Sequence, residues 1–358
     1  MISHSEPVSR RIDVGILGAT GMVGQQFIRL LDGHPWFRAA WLAASERSEG
    51  RTYRQAAAWH LPTPPPADIL GRQVEGCVPG RAPRLVFSGL DAAAATDIEP
   101  AFAAAGHIVV SNARSYRMDP LVPLVIPEVN GDHLALLEPQ RKGRGWSGAI
   151  VTNPNCSTVV LAMVLAPLRH FGLTRVTVTT LQAVSGAGYP GVPSLDILGN
   201  VIPFISGEEE KMESETQKIL GRLEGPSVVP HPVVVSAQTT RVPVIDGHTI
   251  SVSLGFDGGP TPADVREALA GFRAKPQELA LPSAPPSPIL LLDDDNRPQP
   301  RLDVERENGM VIAVGRVRRC PVLGVKLIAL GHNTVRGAAG AALLNAELMV
   351  AEGIGHLD

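Results

Sequence analysis

The chain has 358 residues, a net charge of −3, 44% apolar residues and 19% charged residues. At roughly 150 residues per domain, this length predicts two to three domains, and the composition of a globular protein excludes disorder, collagen and coiled coil. Because 32 basic residues are balanced by 35 acidic ones, no global positive field exists to hold a nucleic-acid backbone or an anionic membrane. We therefore expect small molecules or copies of the same chain as partners.

Hydropathy and cysteine content indicate the compartment. The longest strongly apolar stretch, residues 159–168, is only half of the roughly 20 residues that cross a bilayer. The polar start, residues 1–11, predicts no secretory signal. The three cysteines, Cys77, Cys156 and Cys320, form no Cys-x-x-Cys pair, so we expect neither a metal nor a dithiol. A cytoplasmic location is expected.

The first half of the chain predicts alternating strands and helices. Ile12–Leu17 has the apolar pattern of a buried strand, a glycine-rich turn follows, and Met22–Leu31 has helical periodicity. Further elements are expected as strands at 39–44, 84–88, 107–111 and 149–152 and as a helix at 92–105. This alternation is typical of a parallel, doubly wound sheet.

Two segments break this alternation. Residues 53–83 include Pro64-Pro65-Pro66 and are too interrupted for regular structure, so they are interpreted as a surface insertion. Pro154 and Asn155 end the strand at 149–152, and a helix is expected from Cys156 to about residue 170. We place the boundary between the two domains at this break.

The second half predicts longer β segments with few crossover helices. They are expected at 175–183, 241–244, 249–256, 310–317 and 322–330, and a final helix at 334–352. Asp246-Gly247 lies between two alternating runs and predicts a two-residue hairpin turn. The predicted fold is thus α/β, with a Rossmann-like doubly wound nucleotide-binding domain and an α+β catalytic and dimerisation domain whose sheet is mostly antiparallel.

The glycine turn predicts a dinucleotide site. Gly18, Gly21 and Gly24 permit a tight turn and the close approach of a pyrophosphate to a helix N-terminus. A packing turn without ligand is the alternative. The second strand is followed by Ser45-Glu46-Arg47-Ser48, in which Arg47 is accompanied by two hydroxyl residues, where NAD-binding proteins carry an acidic side chain. Arg47 favours NADP over NAD, although Glu46 argues the other way.

Cys156 is a candidate nucleophile because it lies where a strand ends and a helix begins. The helix dipole and free amides at such a position stabilise a thiolate, which predicts a pKa below the usual value of about 8.5. These amides, with Asn155, could also hold an oxyanion. The alternative is a small buried hydrophobic residue, which is the expectation for Cys77 and Cys320.

A thiolate beside a nicotinamide predicts one chemistry. The thiolate attacks an aldehyde, hydride leaves to the cofactor and a thioester remains. A base must accept the hydroxyl proton, and His248, expected to be exposed after the Asp246-Gly247 turn, is a candidate. A surface hairpin histidine is the alternative.

Four motifs in order resemble the aspartate-semialdehyde dehydrogenase family: Gly18-Ala-Thr-Gly-Met-Val-Gly24, Asn153-Pro-Asn-Cys-Ser-Thr158, Gln182-Ala-Val-Ser-Gly-Ala-Gly188 and Asp246-Gly-His248. Further family-like stretches are 125–130, 207–212, 297–303 and 332–339. The resemblance implies reversible, NADPH-dependent reductive dephosphorylation of 4-phospho-L-aspartate to L-aspartate 4-semialdehyde, at the branch leading to lysine, threonine and methionine. It also implies a homodimer or a homotetramer.

The resemblance implies roles for the residues that react with or bind the substrate. Cys156 would carry the acyl group, His248 would be the acid/base, and Gln182 would position the substrate against the cysteine. The implied binding residues are Asn112, Arg117 and Lys211 for phosphate, Arg241 for the substrate carboxylate and Glu208 for the ammonium group. Arg114 is an alternative to Arg117, and the register of the flanking residues favours Arg117. From spacing alone, Glu208 and Lys211 are one solvated helix face, and Arg241 is an ordinary strand-end charge.

The resemblance also assigns cofactor residues. They are Gly18, Thr20, Gly21, Met22 and Val23 at the pyrophosphate, Ser45, Arg47 and Ser48 at the 2′-phosphate, Ser185 and Gly186 near the nicotinamide ribose, and Asn333. Asn333 opens the closing helix, where a plain helix cap is the local interpretation. The implied domains are residues 1–155 plus 334–358 for NADP binding and 156–333 for catalysis and dimerisation.

Two other functions remain open from the sequence. A malonyl- or succinyl-coenzyme A reductase of the same architecture would use the same thioester with a thiol in place of phosphate. A catalytically silent dinucleotide-binding sensor would keep the fold without using the cysteine.

Overall fold

The computed structural model describes residues 11–355 and residue 357. Most of the polar start, residues 1–11, therefore lies outside the described residues. Within the described part, no helix is long and apolar enough to cross a membrane.

The first sheet has six parallel strands in the order β3-β2-β1-β4-β5-β6. This is the doubly wound order of dinucleotide-binding folds, with the switch point between β1 and β4. The strands are β1 (Ile12–Leu17), β2 (Phe37–Ala44), β3 (Glu75–Gly76), β4 (Leu85–Ser88), β5 (Ile108–Ser111) and β6 (Ala149–Thr152). The helices up to residue 144 are α1 (Met22–Leu31), α2 (Tyr53–Ala56), α3 (Ala67–Leu70), α4 (Ala92–Ala104), α5 (Pro127–Asn130) and α6 (Leu137–Arg144), with a 3₁₀ segment at Gly131–Leu136.

Both faces of this sheet are buried, as a parallel sheet requires. Phe27 of α1 lies on one face and Phe102 of α4 lies on the other, and both are fully buried. The last helix of the chain also packs on the face that α1 covers, through Leu343 and Leu344. The chain therefore returns to the first sheet after completing the second.

The second sheet is mixed, in the order β10-β7-β11-β14-β13-β12. Its three inner pairs are antiparallel and its two edge pairs are parallel, which confirms a mostly antiparallel sheet. The strands after residue 155 are β7 (Leu173–Gln182), β8 (Arg222–Glu224), β9 (Ser227–Val229), β10 (Val234–Arg241), β11 (His248–Phe256), β12 (Ile289–Leu292), β13 (Ile312–Cys320) and β14 (Gly324–Gly331). The helices are α7 (Cys156–Leu165), α8 (Ser194–Ile197), α9 (Glu208–Ile219), α10 (Pro262–Gly271), α11 (Lys275–Glu278), α12 (Pro300–Asp303) and α13 (Gly340–Ala351), with 3₁₀ turns at Ala166–Phe171, Val184–Ala187 and Arg306–Gly309 and a π-helical turn at Val335–Ala339.

Three predictions about elements are wrong. The strand predicted at 241–244 is not formed, because β10 ends at Arg241 and residues 242–244 belong to no strand. Asp246-Gly247 is not a hairpin turn, since β10 and β11 do not pair with each other but lie on opposite sides of β7. The segment 53–83 is not without regular structure: it forms α2, α3 and the edge strand β3, and it buries Tyr53, whose hydroxyl donates to the Ala19 carbonyl at 3.0 Å.

Candidate active site

Cys156 is the first residue of α7, directly after the break that follows β6. The side chain of Asn155 caps this helix, because its Oδ1 accepts from the amides of Ser157 and Thr158 at 3.0 and 3.1 Å. The strand, the break and the cap together place the thiol at the carboxyl edge of the first sheet. The predicted oxyanion role of Asn155 is not supported, since this oxygen occupies two of the amides and the Nδ2 group donates to Glu208 at 2.6 Å.

His248 lies opposite the thiol, with its Nε2 at 3.1 Å from Sγ of Cys156. The imidazole is fully buried, so the expectation of an exposed ring is wrong. His248 is the first residue of the central strand β11 and does not follow a hairpin turn. The backbone N–H of Ala183 donates to Nδ1 at 3.1 Å. Because this amide only donates, Nδ1 accepts, and the neutral ring carries its proton on Nε2, facing the sulfur.

The thiol and the imidazole are both held in their neutral forms. Burial raises the pKa of Cys156 to about 12, and the nearby Glu208 carboxylate adds to this effect. Burial also lowers the pKa of His248 to about 3, with Arg241 contributing. The predicted lowering of the thiol pKa by the helix dipole is therefore contradicted, because the cost of removing a thiolate from water exceeds that stabilisation.

Helix α9 supplies an acidic and a basic group beside the thiol. Glu208 is 6% exposed, and its Oε1 accepts from Asn155 while its Oε2 pairs with Lys211 Nζ at 3.0 Å. Gln182, at the end of β7, directs its Nε2 to the same carboxylate at 3.4 Å. The interpretation of Glu208 and Lys211 as a solvated helix face is wrong, since the face they share lines the cavity described next.

A cavity of about 1030 Å³ is lined by residues from both domains, and Cys156 forms part of its wall. The predicted substrate residues Asn112, Arg117, Glu208, Lys211 and Arg241 and the predicted cofactor residues Thr20, Gly21, Met22, Val23, Arg47, Ser185, Gly186 and Asn333 all line it. Gln182 and His248 lie behind the wall, because both are buried at the ends of central strands. Gly18, Ser45 and Ser48 do not line the cavity.

Two of the four arginines that line the cavity, Arg117 and Arg241, are buried and oriented by the protein. Arg117 donates through Nη1 to Glu215 at 3.1 Å and through Nη2 to the Asn112 carbonyl at 2.7 Å, and its buried Nε has no partner among the described residues. Arg241 donates through Nη1 to the Ala183 carbonyl at 2.7 Å. Arg114 also lines the cavity but is exposed. A guanidinium that is fixed by the protein and lines a cavity suits an anionic ligand.

The other end of the cavity fits a dinucleotide. Helix α1 has no side-chain cap, so its first amides are free to bind a pyrophosphate. The turn also needs its glycines: a Cβ on Gly24 would lie 2.3 Å from the Gly18 carbonyl oxygen. Arg47 lines the same end and is exposed, which suits the 2′-phosphate of NADP.

Asn333 does not act as a helix cap. Its Oδ1 accepts from the Gly247 amide at 2.8 Å, and its Nδ2 donates to Ser185 Oγ at 2.8 Å. The side chain thereby ties the segment before α13 to the segment after β7. The local interpretation of Asn333 as a helix cap is therefore wrong.

Sequence reasoning missed an aromatic pair at the mouth of the cavity. His60, from the segment 53–83, stacks on Tyr189 with ring centroids 3.8 Å apart and planes inclined by 18°. Both residues line the cavity. No local signal predicts this pair, because its members come from different domains. Gly89 and Leu90, which follow β4, also line the cavity, and their place at a strand end could have identified them.

Comparison with known proteins agrees with this geometry. Residues 13–137 match the family model described as semialdehyde dehydrogenase, NAD binding domain, and residues 165–336 match semialdehyde dehydrogenase, dimerisation domain. The aspartate-semialdehyde dehydrogenase of Archaeoglobus fulgidus is 52% identical over 96% of this chain and 99% of its own length, and that of Schizosaccharomyces pombe is 49% identical over 95% and 98%.

Solved structures give the same result. The aspartate-semialdehyde dehydrogenase of Candida albicans with NADP superimposes with a TM-score of 0.89 at 44% identity, covering 96% of this chain and 99% of that one. The type II enzyme of Vibrio cholerae gives a TM-score of 0.74 at 28% identity, covering 95% and 99%. The chain belongs to the aspartate-semialdehyde dehydrogenase family.

Proposed function

We propose that this protein catalyses the reversible conversion of L-aspartate 4-semialdehyde and phosphate to 4-phospho-L-aspartate, with NADP as the hydride acceptor, in the biosynthesis of lysine, threonine and methionine. The observation that carries this proposal is the thiol–imidazole pair of Cys156 and His248 between an anion-binding wall and a dinucleotide-binding turn. The names of the relatives support the substrate, and the NADP complex from Candida albicans supports the cofactor. The relatives do not favour a coenzyme A reductase or a silent sensor.

The residues around the thiol match the groups of the substrate. Arg241 supplies a cation for the carboxylate, and Glu208 supplies an anion for the ammonium group. Gln182 would hold the bound substrate in position beside the sulfur. A Cβ on Gly186 would lie 2.9 Å from both Arg241 Nη1 and His248 Cε1. A glycine at this position therefore lets the backbone after β7 pack against the side chains of Arg241 and His248.

Cys156 forms and breaks the covalent bond. The sulfur attacks the aldehyde carbon, and the proton of the thiol passes to the former carbonyl oxygen, which becomes the hydroxyl of a hemithioacetal. When bound, NADP would serve as the hydride acceptor for that carbon. As the carbonyl re-forms as a thioester on Sγ, Nε2 of His248 takes the hydroxyl proton. A phosphate oxygen, held by Arg117, Lys211 and Asn112, attacks the thioester carbon, and the thiolate leaves.

His248 exchanges protons at Nε2, the ring atom that faces the sulfur. In the neutral form that the Ala183 amide selects, Nε2 already carries a proton and donates a hydrogen bond to the thiolate or the adduct oxygen. Accepting a proton at Nε2 requires the other neutral form, with the proton on Nδ1. For His248 to act as a base, the imidazole must therefore shift slightly, so that the hydrogen bond from the Ala183 amide to Nδ1 is broken.

The division of the chain follows from the same assignment. Residues 1–155 plus 334–358 would bind NADP, and residues 156–333 would carry the substrate site and the subunit interface. The dimerisation-domain match supports an oligomer. Side chains exposed on one face of the second sheet, Thr177, Thr179 and Leu181 of β7 and Val234 and Ser236 of β10, offer a surface for a second copy in a homodimer or homotetramer. The three free cysteines are consistent with the cytoplasm.

The test is NADP reduction by the purified protein with L-aspartate 4-semialdehyde, with and without phosphate and with NAD in place of NADP. We expect turnover that requires phosphate and is faster with NADP. Turnover that is independent of phosphate, or that requires coenzyme A, would contradict the proposed reaction.

A further inference from the structure

Glu215 is a buried carboxylate that the assignment of substrate residues leaves without a role. It lies on α9, four residues after Lys211 and seven after Glu208, and therefore shares their helix face. The residue is only 2% exposed. A carboxylate is rarely buried unless cations or hydrogen-bond donors compensate for its lost hydration.

The two oxygens of Glu215 contact two different parts of the active site. Oε1 accepts from Nη1 of Arg117 at 3.1 Å, and Oε2 accepts from the backbone amide of Asn155 at 2.7 Å. Asn155 directly precedes the nucleophile Cys156 and caps its helix. One carboxylate thus connects the guanidinium of the phosphate wall to the backbone that carries the thiol.

The remaining donors of Arg117 show why this connection matters. Nη2 is fixed by the Asn112 carbonyl at 2.7 Å, whereas the buried Nε has no partner among the described residues. With Nη1 and Nη2 each held by a protein acceptor, the guanidinium has a single orientation, and each of these two atoms retains a second N–H for an anion. Its positive charge is balanced by Glu215 before any anion arrives.

We infer that Glu215 is a positioning residue that fixes the phosphate-binding guanidinium of Arg117 relative to the nucleophile Cys156. This inference rests on the proposed function, because it assumes that phosphate attacks a thioester on Cys156. An attacking oxygen must approach the thioester carbon at a defined distance and angle, and a displacement of about 1 Å can cost about 100-fold in rate. Glu215 sets that geometry without touching the substrate.

The test is the substitution Glu215→Gln, with Glu210→Gln as the matched control. Glu210 lies on the same helix but is exposed, so both variants lose one charge from α9. A glutamine has one acceptor oxygen, and its NH₂ group faces a second donor, so it satisfies either Arg117 or the Asn155 amide but not both. We expect KM for phosphate to rise about tenfold or more, equivalent to about 1.4 kcal/mol. We expect KM for NADP to stay unchanged, and the control to resemble wild type.

A double-mutant cycle separates positioning from general stabilisation. If Glu215 acts on phosphate through Arg117, Glu215→Gln raises KM for phosphate much less in an Arg117→Ala background than in wild type. Independent, additive effects of the two substitutions on that KM would overturn the inference. So would an unchanged KM for phosphate in Glu215→Gln, or equal increases in KM for phosphate and for NADP.

Two further measurements keep the inference testable. If Glu215→Gln does not fold, Glu215→Asp keeps the charge but shortens the side chain by one methylene, and the same selective rise in KM for phosphate is expected. If the wild-type protein requires phosphate and the Glu215 variants have a normal KM for phosphate, only the inference about Glu215 is contradicted. A wild-type protein whose turnover is independent of phosphate contradicts the proposed function itself.

Discussion

Sγ of Cys156 lies 3.1 Å from Nε2 of His248, and burial keeps both groups neutral. The Ala183 amide adds to this, since it donates to Nδ1 and so opposes an imidazolium. The free protein therefore holds a thiol and not a preformed ion pair. The reactive thiolate is expected only when bound molecules change the charge or the hydration of the cavity.

Alkylation of Cys156 as a function of pH measures this directly. Because its pKa is raised to about 12, the thiolate fraction in the free protein rises tenfold per pH unit across the neutral and mildly alkaline range. We predict that the rate of carbamidomethylation at Cys156, followed by peptide mass spectrometry, rises without a plateau between about pH 7 and 10. A plateau below about pH 8.5, the range of an ordinary or activated thiol, would contradict the neutral pair.

Replacement of His248 tests the second member of the pair. His248→Gln keeps a polar side chain but removes proton transfer, so we predict a fall in kcat of about 100-fold or more. His170→Gln is the control, because His170 is an exposed histidine in the 3₁₀ turn after α7. A near-normal kcat in His248→Gln would show that the imidazole does not transfer protons in the reaction.

Arg47 tests cofactor preference. Its exposed guanidinium lines the dinucleotide end of the cavity and is positioned for the 2′-phosphate that only NADP carries. We predict that Arg47→Ala raises KM for NADP about tenfold and leaves KM for NAD unchanged. Arg54→Ala, a neighbouring exposed arginine of α2 that does not line the cavity, serves as the control. A parallel rise in both KM values would show that Arg47 does not contact the 2′-phosphate.

The stack of His60 on Tyr189 joins the two domains across the cavity mouth. Tyr189→Ala removes that contact, and we predict weaker NADP binding and faster NADP release in stopped-flow fluorescence. Tyr189→Phe keeps an aromatic ring and should restore wild-type values, since the tyrosine hydroxyl is not needed for stacking. If alanine and phenylalanine variants release NADP at the same rate, the stack does not retain the cofactor.

The first domain was the more predictable part of the fold. Its strands are short apolar runs with a glycine turn between the first strand and the first helix, and these local patterns specify a doubly wound sheet. Ile12–Leu17, Met22–Leu31 and Ala149–Thr152 are confirmed to the residue. Proline content does not predict the structure of the 53–83 segment, because its short helices are held by tertiary contacts, such as that of Tyr53 with Ala19.

The second domain was harder to predict because local sequence does not determine which strands pair with each other. Asp246-Gly247 has the composition of a hairpin turn, yet β7 inserts between the two strands that it connects. The nucleophile followed from its place at a strand-to-helix break, whereas its protonation state did not. Burial and the Glu208 carboxylate determine the pKa of Cys156, and both arise from chain segments that are distant in sequence.

The most direct test of the account is a single-turnover experiment with L-aspartate 4-semialdehyde and NADP in the absence of phosphate. If Cys156 holds the acyl group until phosphate removes it, one rapid burst of up to one NADPH per protomer forms and an acyl adduct appears on the Cys156 peptide. Phosphate then restores continuous turnover, and Cys156→Ser gives neither burst nor adduct while retaining its fold. Continuous turnover without phosphate, or a burst in Cys156→Ser, would contradict a thioester on this cysteine.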